Sequence, residues 1–309
     1  MLSLQDFHRI ALEDKPVFDA FAARFPVTHS GNVFTTMVCW QEFVQYSVAV
    51  VRDHLVISAR FDPDVTVRPP VGVPDAELMD EVVRLAVLEG ANLGYVELSA
   101  KQALAGRYPS LPFVEDRDYA DYVYAVKDLA TLPGTRYAKI RNRLNKFANS
   151  TSYSVAPIDQ GTIADVEEFL HRWCLWKDCA SDPYLEHERR AMVFAIRHFF
   201  ELGLVGLALR IKGEVEAISI FEQMNDDTVV VHFEKGSPDF DGVYKAINME
   251  TARYVQSHAV YVDREEDLGL PGLRKAKESY HPDRLVRVWH VENPALSALV
   301  RPTSGSGLG

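Results

Sequence analysis

Cysteine is scarce in this chain: Cys39, Cys174 and Cys179 are the only three in 309 residues, an odd number. A secreted, disulfide-stapled framework is therefore not expected, and a reducing cytoplasm is. Long apolar runs are lacking too. The most apolar stretch, residues 192–211, is broken by Arg197, His198, Glu201 and Arg210, short of the ~20 uncharged residues of a membrane span. Gln5, Asp6 and His8 interrupt the start, so no secretory leader is read there. Positive charge is in deficit, with 33 Lys and Arg against 44 Asp and Glu and a net charge of -11 at pH 7. That balance excludes a chain coated all over in nucleic acid but leaves room for a local basic patch. No Walker loop, G-x-S-x-G, H-E-x-x-H or EF-hand pattern occurs.

What remains is ordinary globular composition, 47% hydrophobic and 25% charged, long enough for two cores. Hydrophobic periodicity is clearest in the second half. A strand is expected over 152–157, then a helix over 163–176 introduced by Thr162, then a helix over 188–202 stopped by Gly203. Three strands follow as an antiparallel meander over 204–211, 215–224 and 228–234, turning at Lys212-Gly213 and Asn225-Asp226-Asp227. A helix over 243–258, a strand over 260–263, a short helix over 272–280 and a strand over 285–291 close the pattern. This order is similar to that of the GNAT, or acyl-CoA N-acyltransferase, fold. The first half is looser: a helix over 4–25, a β-rich stretch over 33–61, a helix over 75–90 and strands over 95–99 and 119–126 suggest a second, degenerate copy. The expected division is a GNAT-like domain over 1–130, a basic connecting helix over 131–150, a second GNAT-like domain over 151–293 and a flexible tail over 294–309. The fold class is thus α/β (α+β), two tandem domains with mixed, mainly antiparallel sheets flanked by helices.

Three segments carry chemistry. Residues 132–147, LPGTRYAKIRNRLNKF, hold Arg136, Lys139, Arg141, Arg143 and Lys146 with no acid. At ~100° per residue Arg136, Lys139, Arg143 and Lys146 share one helix face, beside an apolar stripe of Tyr137, Ile140, Leu144 and Phe147. Such an edge suits the phosphates of a tRNA end, a nucleotide or a lipid headgroup; the plainer alternative is a solvated helix balancing acidic neighbours. Residues 262–282, VDREEDLGLPGLRKAKESYHP, crowd charges where a strand should end, before a helix bearing Arg274, Lys275 and Lys277; a surface loop of ion pairs is the alternative. In residues 229–242, VVVHFEKGSPDFDG, strict alternation would put His232 and Glu234 on one face with Val230. Glu234 beside Lys235 offers a proton acceptor and a cation, as acyl transfer requires, whereas His232 alone reads more simply as a satisfied core or edge residue. His171, Cys174 and Cys179 lack a fourth ligand and paired spacing, so no metal site is expected.

Residues 121–147, 232–248 and 263–282 together resemble the soluble C-terminal domain of phosphatidylglycerol lysyltransferases, including stand-alone bacterial and archaeal members. The pattern E-x-D-L-G-x-x-G-L-R-x-x-K-x-S-Y-H-P is the most specific part; Asp263 departs from it, standing where Asn is the more frequent residue. The resemblance, over residues ~1 to ~292, implies tandem GNAT-like domains related to the Fem peptidyltransferases, and amino acid taken from aminoacyl-tRNA as co-substrate, with no further cofactor. CoA-using relatives of the fold hold pyrophosphate on a Gly-rich turn, but here the turn is Gly236-Ser-Pro-Asp-Phe-Asp-Gly242, poor in donors and acidic. The expectation is a cytoplasmic aminoacyltransferase, peripheral at the membrane at most, with a hydroxyl or amine acceptor such as an anionic phospholipid or a small molecule. Glu234, Arg264, Asp267 and Lys277 are the expected catalytic residues: Arg264 or Lys277 for the oxyanion, Glu234 or Asp267 for the proton. Arg136, Lys139, Arg141, Asn142, Arg143, Lys146, His232, Arg274 and Tyr280 are the expected substrate-binding set. The alternatives are a CoA-dependent N-acyltransferase and a non-catalytic binder of tRNA or anionic lipid.

Overall fold

The computed structural model describes residues 1–300. The chain forms two compact units that interleave along the sequence. The first takes residues 1–25, 41–119 and 287–300; the second takes 26–40 and 120–286.

The first unit is built on a seven-stranded sheet. With strands numbered along the chain, β1 is His8–Arg9, β2 Gln45–Val51, β3 His54–Phe61, β4 Asp64–Val67, β5 Asn92–Val96, β6 Val114–Glu115 and β14 Trp289–Val291, in the spatial order β1-β2-β3-β4-β5-β14-β6. β2 and β3 meet through Arg52 and Asp53, both with positive φ, the backbone twist that a two-residue hairpin needs. Helix Ala76–Leu88 starts at Asp75, whose carboxylate accepts the N–H groups of Glu77 and Leu78 at 2.9 Å. Its apolar face, Leu78, Val82, Leu85 and Ala86, joins Ala49, Val56, Val67 and Leu93 in the core. Several expectations for this half are corrected. The stretch 4–25 is two short 3-10 turns and a strand before helix Lys15–Ala22 begins with Pro16 in its first turn. The strand expected over 95–99 ends at Val96, and a helix, Leu98–Arg107, follows. Residues 294–300, placed in the tail, belong to helix Asn293–Val300; the rest of the expected tail, 301–309, lies outside the described residues.

The second unit holds the other sheet: β7 Asp121–Ala125, β8 Tyr153–Pro157, β9 Val205–Ile211, β10 Glu214–Gln223, β11 Thr228–Gly236, β12 Tyr261–Asp263 and β13 Arg284–Val286, ordered β13-β7-β12-β11-β10-β9-β8. Every pairing is antiparallel except β11 with β12. Helices Ile163–Lys177, Val243–Val255 and Pro271–Glu278 lie close to the sequence expectation, whereas the helix expected over 188–202 with its stop at Gly203 runs instead over Pro183–Arg197, capped by Asp182 at its start and ending at His198. The strand at 119–126, expected to complete the first sheet, pairs instead with β12 and β13. The strand expected over 285–291 splits, β13 joining the second sheet and β14 the first. Consequently the expected boundary at 130 falls inside the second unit, and helix Ala138–Ser150 is an integral part of that unit. Its stripe of Ile140, Leu144 and Phe147 is buried with Tyr122, Tyr124, Val243, Ala246 and Ile247. Residues 34–39, read as β-rich, are a helix, Phe34–Cys39, also in the second unit. Although no disulfide framework was expected, Cys174 and Cys179 are joined as a disulfide across the end of helix Ile163–Lys177.

Candidate active site

The site lies where a backbone ladder stops. β11 and β12 pair in parallel through Thr228 with Tyr261, Val229 with Val262 and Val230 with Asp263, and no further. Beyond that point two charged side-chain rungs replace the backbone bonds. In the first, the two ring nitrogens of His232 lie 2.9 Å from Glu265 Oε1 and 2.8 Å from Glu222 Oε1. In the second, Arg264 Nη2 donates to Glu234 Oε1 at 2.8 Å, while Asn248 Nδ2 donates to Glu234 Oε2 at 3.2 Å.

A bulge separates the rungs. Ile220 faces Phe233 and Phe221 faces Val231, leaving His232 without a partner in the register. One extra residue reverses the alternation from there on. His232 therefore reaches Glu222, whereas Glu234 reaches Asn248 on helix Val243–Val255. This corrects the expectation that His232 and Glu234 share a face.

Burial works against the charge on Arg264, but Glu234 outweighs it and the guanidinium is held above its ordinary value. Its planar group lies 5.2 Å from the Tyr280 ring centroid and 5.8 Å from that of Tyr124. Burial raises both phenols, so both stay neutral at physiological pH. The Tyr124 hydroxyl donates to the Lys277 carbonyl at 2.8 Å.

Lys277 and Asp267 are committed elsewhere. The Lys277 ammonium is buried and donates to the carbonyl oxygens of Arg264 and of Glu265, the latter at 3.0 Å. Asp267 is fully buried and accepts from Tyr122 Oη at 2.5 Å, Gly269 N at 2.9 Å and Arg274 at 2.7 and 2.8 Å. Burial opposes its charge, but the bonds from Arg274 and Tyr122 hold the carboxyl well below the usual range. Both residues shape the turn that carries Arg264, and Arg274 is the clasp over Asp267. Asp263 behaves in the opposite way. It too is fully buried; Oδ1 accepts from Glu265 N at 2.7 Å, Oδ2 has no hydrogen-bond partner, and burial beside Asp121 pushes the carboxyl well up. Protonated, it presents one donor and one acceptor, as the expected asparagine would.

The basic helix divides into structural and available cations. Arg136 pairs with Asp128 at 2.7 Å and Arg141 donates to the carbonyls of Leu132 and Gly134. Lys139, Asn142, Arg143 and Lys146 are exposed, and their side chains make no hydrogen bond or ion pair among the described residues. Gly242 brings this helix against the next: its φ is +108°, and a Cβ there would stand 2.8 Å from Phe147 Cβ and 3.3 Å from the Arg143 carbonyl. Lys245, three residues on, is half-buried, and burial together with Arg143 lowers its affinity for a proton. Sequence reasoning missed Lys245, Asn248, Glu222 and Glu265. Asn248 was within reach, since it closes the quoted segment 232–248 one helical turn after Lys245. In the acidic turn after β11, the N–H groups of Asp239, Val243 and Lys245 bond internally, to Ser237 Oγ and to the Phe240 and Gly242 carbonyls. Among the described residues, no group of three or more His, Cys, Asp or Glu is placed to hold a metal ion, and no helix is long and apolar enough to cross a membrane.

Two mixed sheets, each flanked by helices, define a tandem GNAT-like α/β protein; FemX shares the fold, with a TM-score of 0.54 at 12% identity over 95% of this chain and 99% of that one. The chain belongs to the family described as phosphatidylglycerol lysyltransferase, C-terminal, whose model matches residues 22–292, and so falls among the acyl- and aminoacyl-transferases in general. A conserved protein of unknown function from Bacteroides thetaiotaomicron VPI-5482 is 32% identical and superposes with a TM-score of 0.86 over 92% of this chain and 98% of its own. L-PGS from Bacillus licheniformis, at 13% identity, gives a TM-score of 0.62 over 93% and 96% of the two chains. An uncharacterized protein of Mycoplasmoides gallisepticum is 22% identical over 173 residues, so the match spans about half (56%) of each protein.

Proposed function

We propose that the protein transfers an aminoacyl group from aminoacyl-tRNA to a hydroxyl or amine acceptor, an anionic phospholipid or a small molecule. The observation that carries this reading is the Arg264–Glu234–Asn248 cluster, in the same unit as a helix whose exposed cations Lys139, Arg143 and Lys146 form no ion pair among the described residues. The acceptor's oxygen or nitrogen attacks the ester carbonyl and forms the new bond to carbon. The bond from that carbon to the ribose oxygen of the tRNA end breaks, and the departing oxygen takes up a proton. Arg264 stabilises the oxyanion, with the neutral Tyr280 phenol as a second donor. Glu234 receives the acceptor's proton and returns it to the leaving oxygen. Asn248 orients that carboxylate. The exposed cations and Lys245 bind the donor's phosphates.

The turn after β11 carries Pro238, which has no N–H, and the acids Asp239 and Asp241, a composition that favours this donor over a CoA thioester. The test is incubation with a mixture of radiolabelled aminoacyl-tRNAs, lipid extract and small-molecule extract. Label should move to an acceptor with wild type, and Arg264→Ala and Glu234→Gln should each slow transfer by ~100-fold or more while the circular dichroism spectrum stays that of the folded wild type. Full transfer by Arg264→Ala sinks the assigned role. Stabilisation by acetyl-CoA, with no movement of label, would replace the donor.

A further inference from the structure

The two rungs are coupled through adjacent residues. Glu265 follows Arg264 directly, with a left-handed φ of 59°, so the side chain fixed by His232 and the one facing Glu234 leave the same tight turn. Each ring nitrogen of His232 lies within 2.9 Å of a carboxylate oxygen. Ionised carboxylates only accept, so both nitrogens must donate, and the ring is an imidazolium. It is 3% exposed, at the bulge where the register of β10 and β11 shifts. We infer that His232 is a positioning residue: its imidazolium ties Glu222 of β10 to Glu265 and so sets where Arg264 stands at the site. The catalytic part of this inference rests on the aminoacyl-transfer reading above.

Burial alone would strip the proton from His232, but the two carboxylates outweigh it and push its titration up to about 9. The groups around it are Glu222 on β10, Glu265 on the turn and the Cys39 thiol on helix Phe34–Cys39, which is pushed up by burial and by both acids. Behind Glu265 stand Asp121, Asp263, Lys277 and Glu266. Burial, Glu265 and Asp121 push Glu266 to about 8, so Glu266 needs its own control. The sign follows: for a raised histidine, the stabilisation is complete below the unfolded value near 6.5 and is lost as pH rises to the folded value. Arg264 is then released above pH ~9.

Nitrogen-15 NMR of histidine-labelled protein, with His232→Gln for assignment, tests the charge. Both ring nitrogens should stay protonated through pH 8; a neutral His232 ring at pH 7 overturns the inference. The side-chain Nε–Hε signal of Arg264 tests the coupling without any enzymatic assay. It should shift in Glu222→Gln, and an unmoved signal overturns the positioning role. In the transfer assay, Glu222→Gln should move the alkaline loss of kcat down by about one pH unit with little change in KM, whereas Glu266→Gln should not move it. An unmoved alkaline limb in Glu222→Gln also overturns the role. Absence of transfer from any donor would defeat the functional reading alone, because both NMR measurements still decide the tie.

Discussion

Asp263 and Asp267 sit four residues apart, both fully buried, and their carboxyls are shifted in opposite directions. The difference lies in their partners: Asp267 faces Arg274 and a phenol, Asp263 faces Asp121. Substitution should separate them. Asp263→Asn should keep stability within about 1 kcal/mol, since a neutral acid gives way to a neutral amide of like shape. Asp267→Ala should cost roughly 3 kcal/mol, because Arg274 and the Tyr122 hydroxyl lose their acceptor. Urea denaturation of both variants checks the pair, and similar midpoints would contradict this account. At this scale the sequence listed the charged side chains but not their partners. Glu234, Arg264 and Tyr280 do converge, whereas Lys277 and Asp267 are tied into the turn, and Arg136 and Arg141 into the loop before their helix. A charge motif shows which residues are present; which of them are already paired depends on residues far along the chain, such as Tyr122, 145 positions from Asp267.

Among the elements, the second sheet was the most legible, because its strands and helices are long, apolar and separated by Gly or Asn-Asp turns. The bulge at His232 was not, since one inserted residue leaves the hydrophobic content of the strand unchanged while reversing the faces beyond it. The packing of helix Ala138–Ser150 was half legible: the buried stripe could be read, but its seat against the start of helix Val243–Val255 depends on Gly242. With φ at +108° and Phe147 and the Arg143 backbone close by, this position accepts no side chain without strain. Gly242→Val should destabilise by about 2–3 kcal/mol and separate Arg143 from Lys245. Thermal denaturation and near-UV circular dichroism check this, and an unchanged melting temperature would contradict the packing.

For the molecule as a whole, an acidic chain gathers Lys139, Arg143 and Lys146 on one exposed helix of the second unit. If Lys139, Arg143, Lys146 and Lys245 hold single-stranded phosphates, log K for tRNA should fall with log salt with a slope of roughly -2 to -3. Changing Lys139, Arg143 and Lys146 to Ala should bring that slope down by about 2, and an unchanged slope would place the phosphates elsewhere. Composition, periodicity and the long motif through residues 263–282 by themselves determined the fold class, the family and the segments that carry charge, because these depend on local spacing. Only the tertiary structure decided that the two units interleave, that β7 belongs to the second sheet, that Cys174 meets Cys179, and that Arg264 rather than Lys277 faces Glu234. Each of these depends on which distant groups pair when backbone and charge must be satisfied together in a buried place. A one-dimensional pattern shows the supply of such groups, and folding assigns their partners.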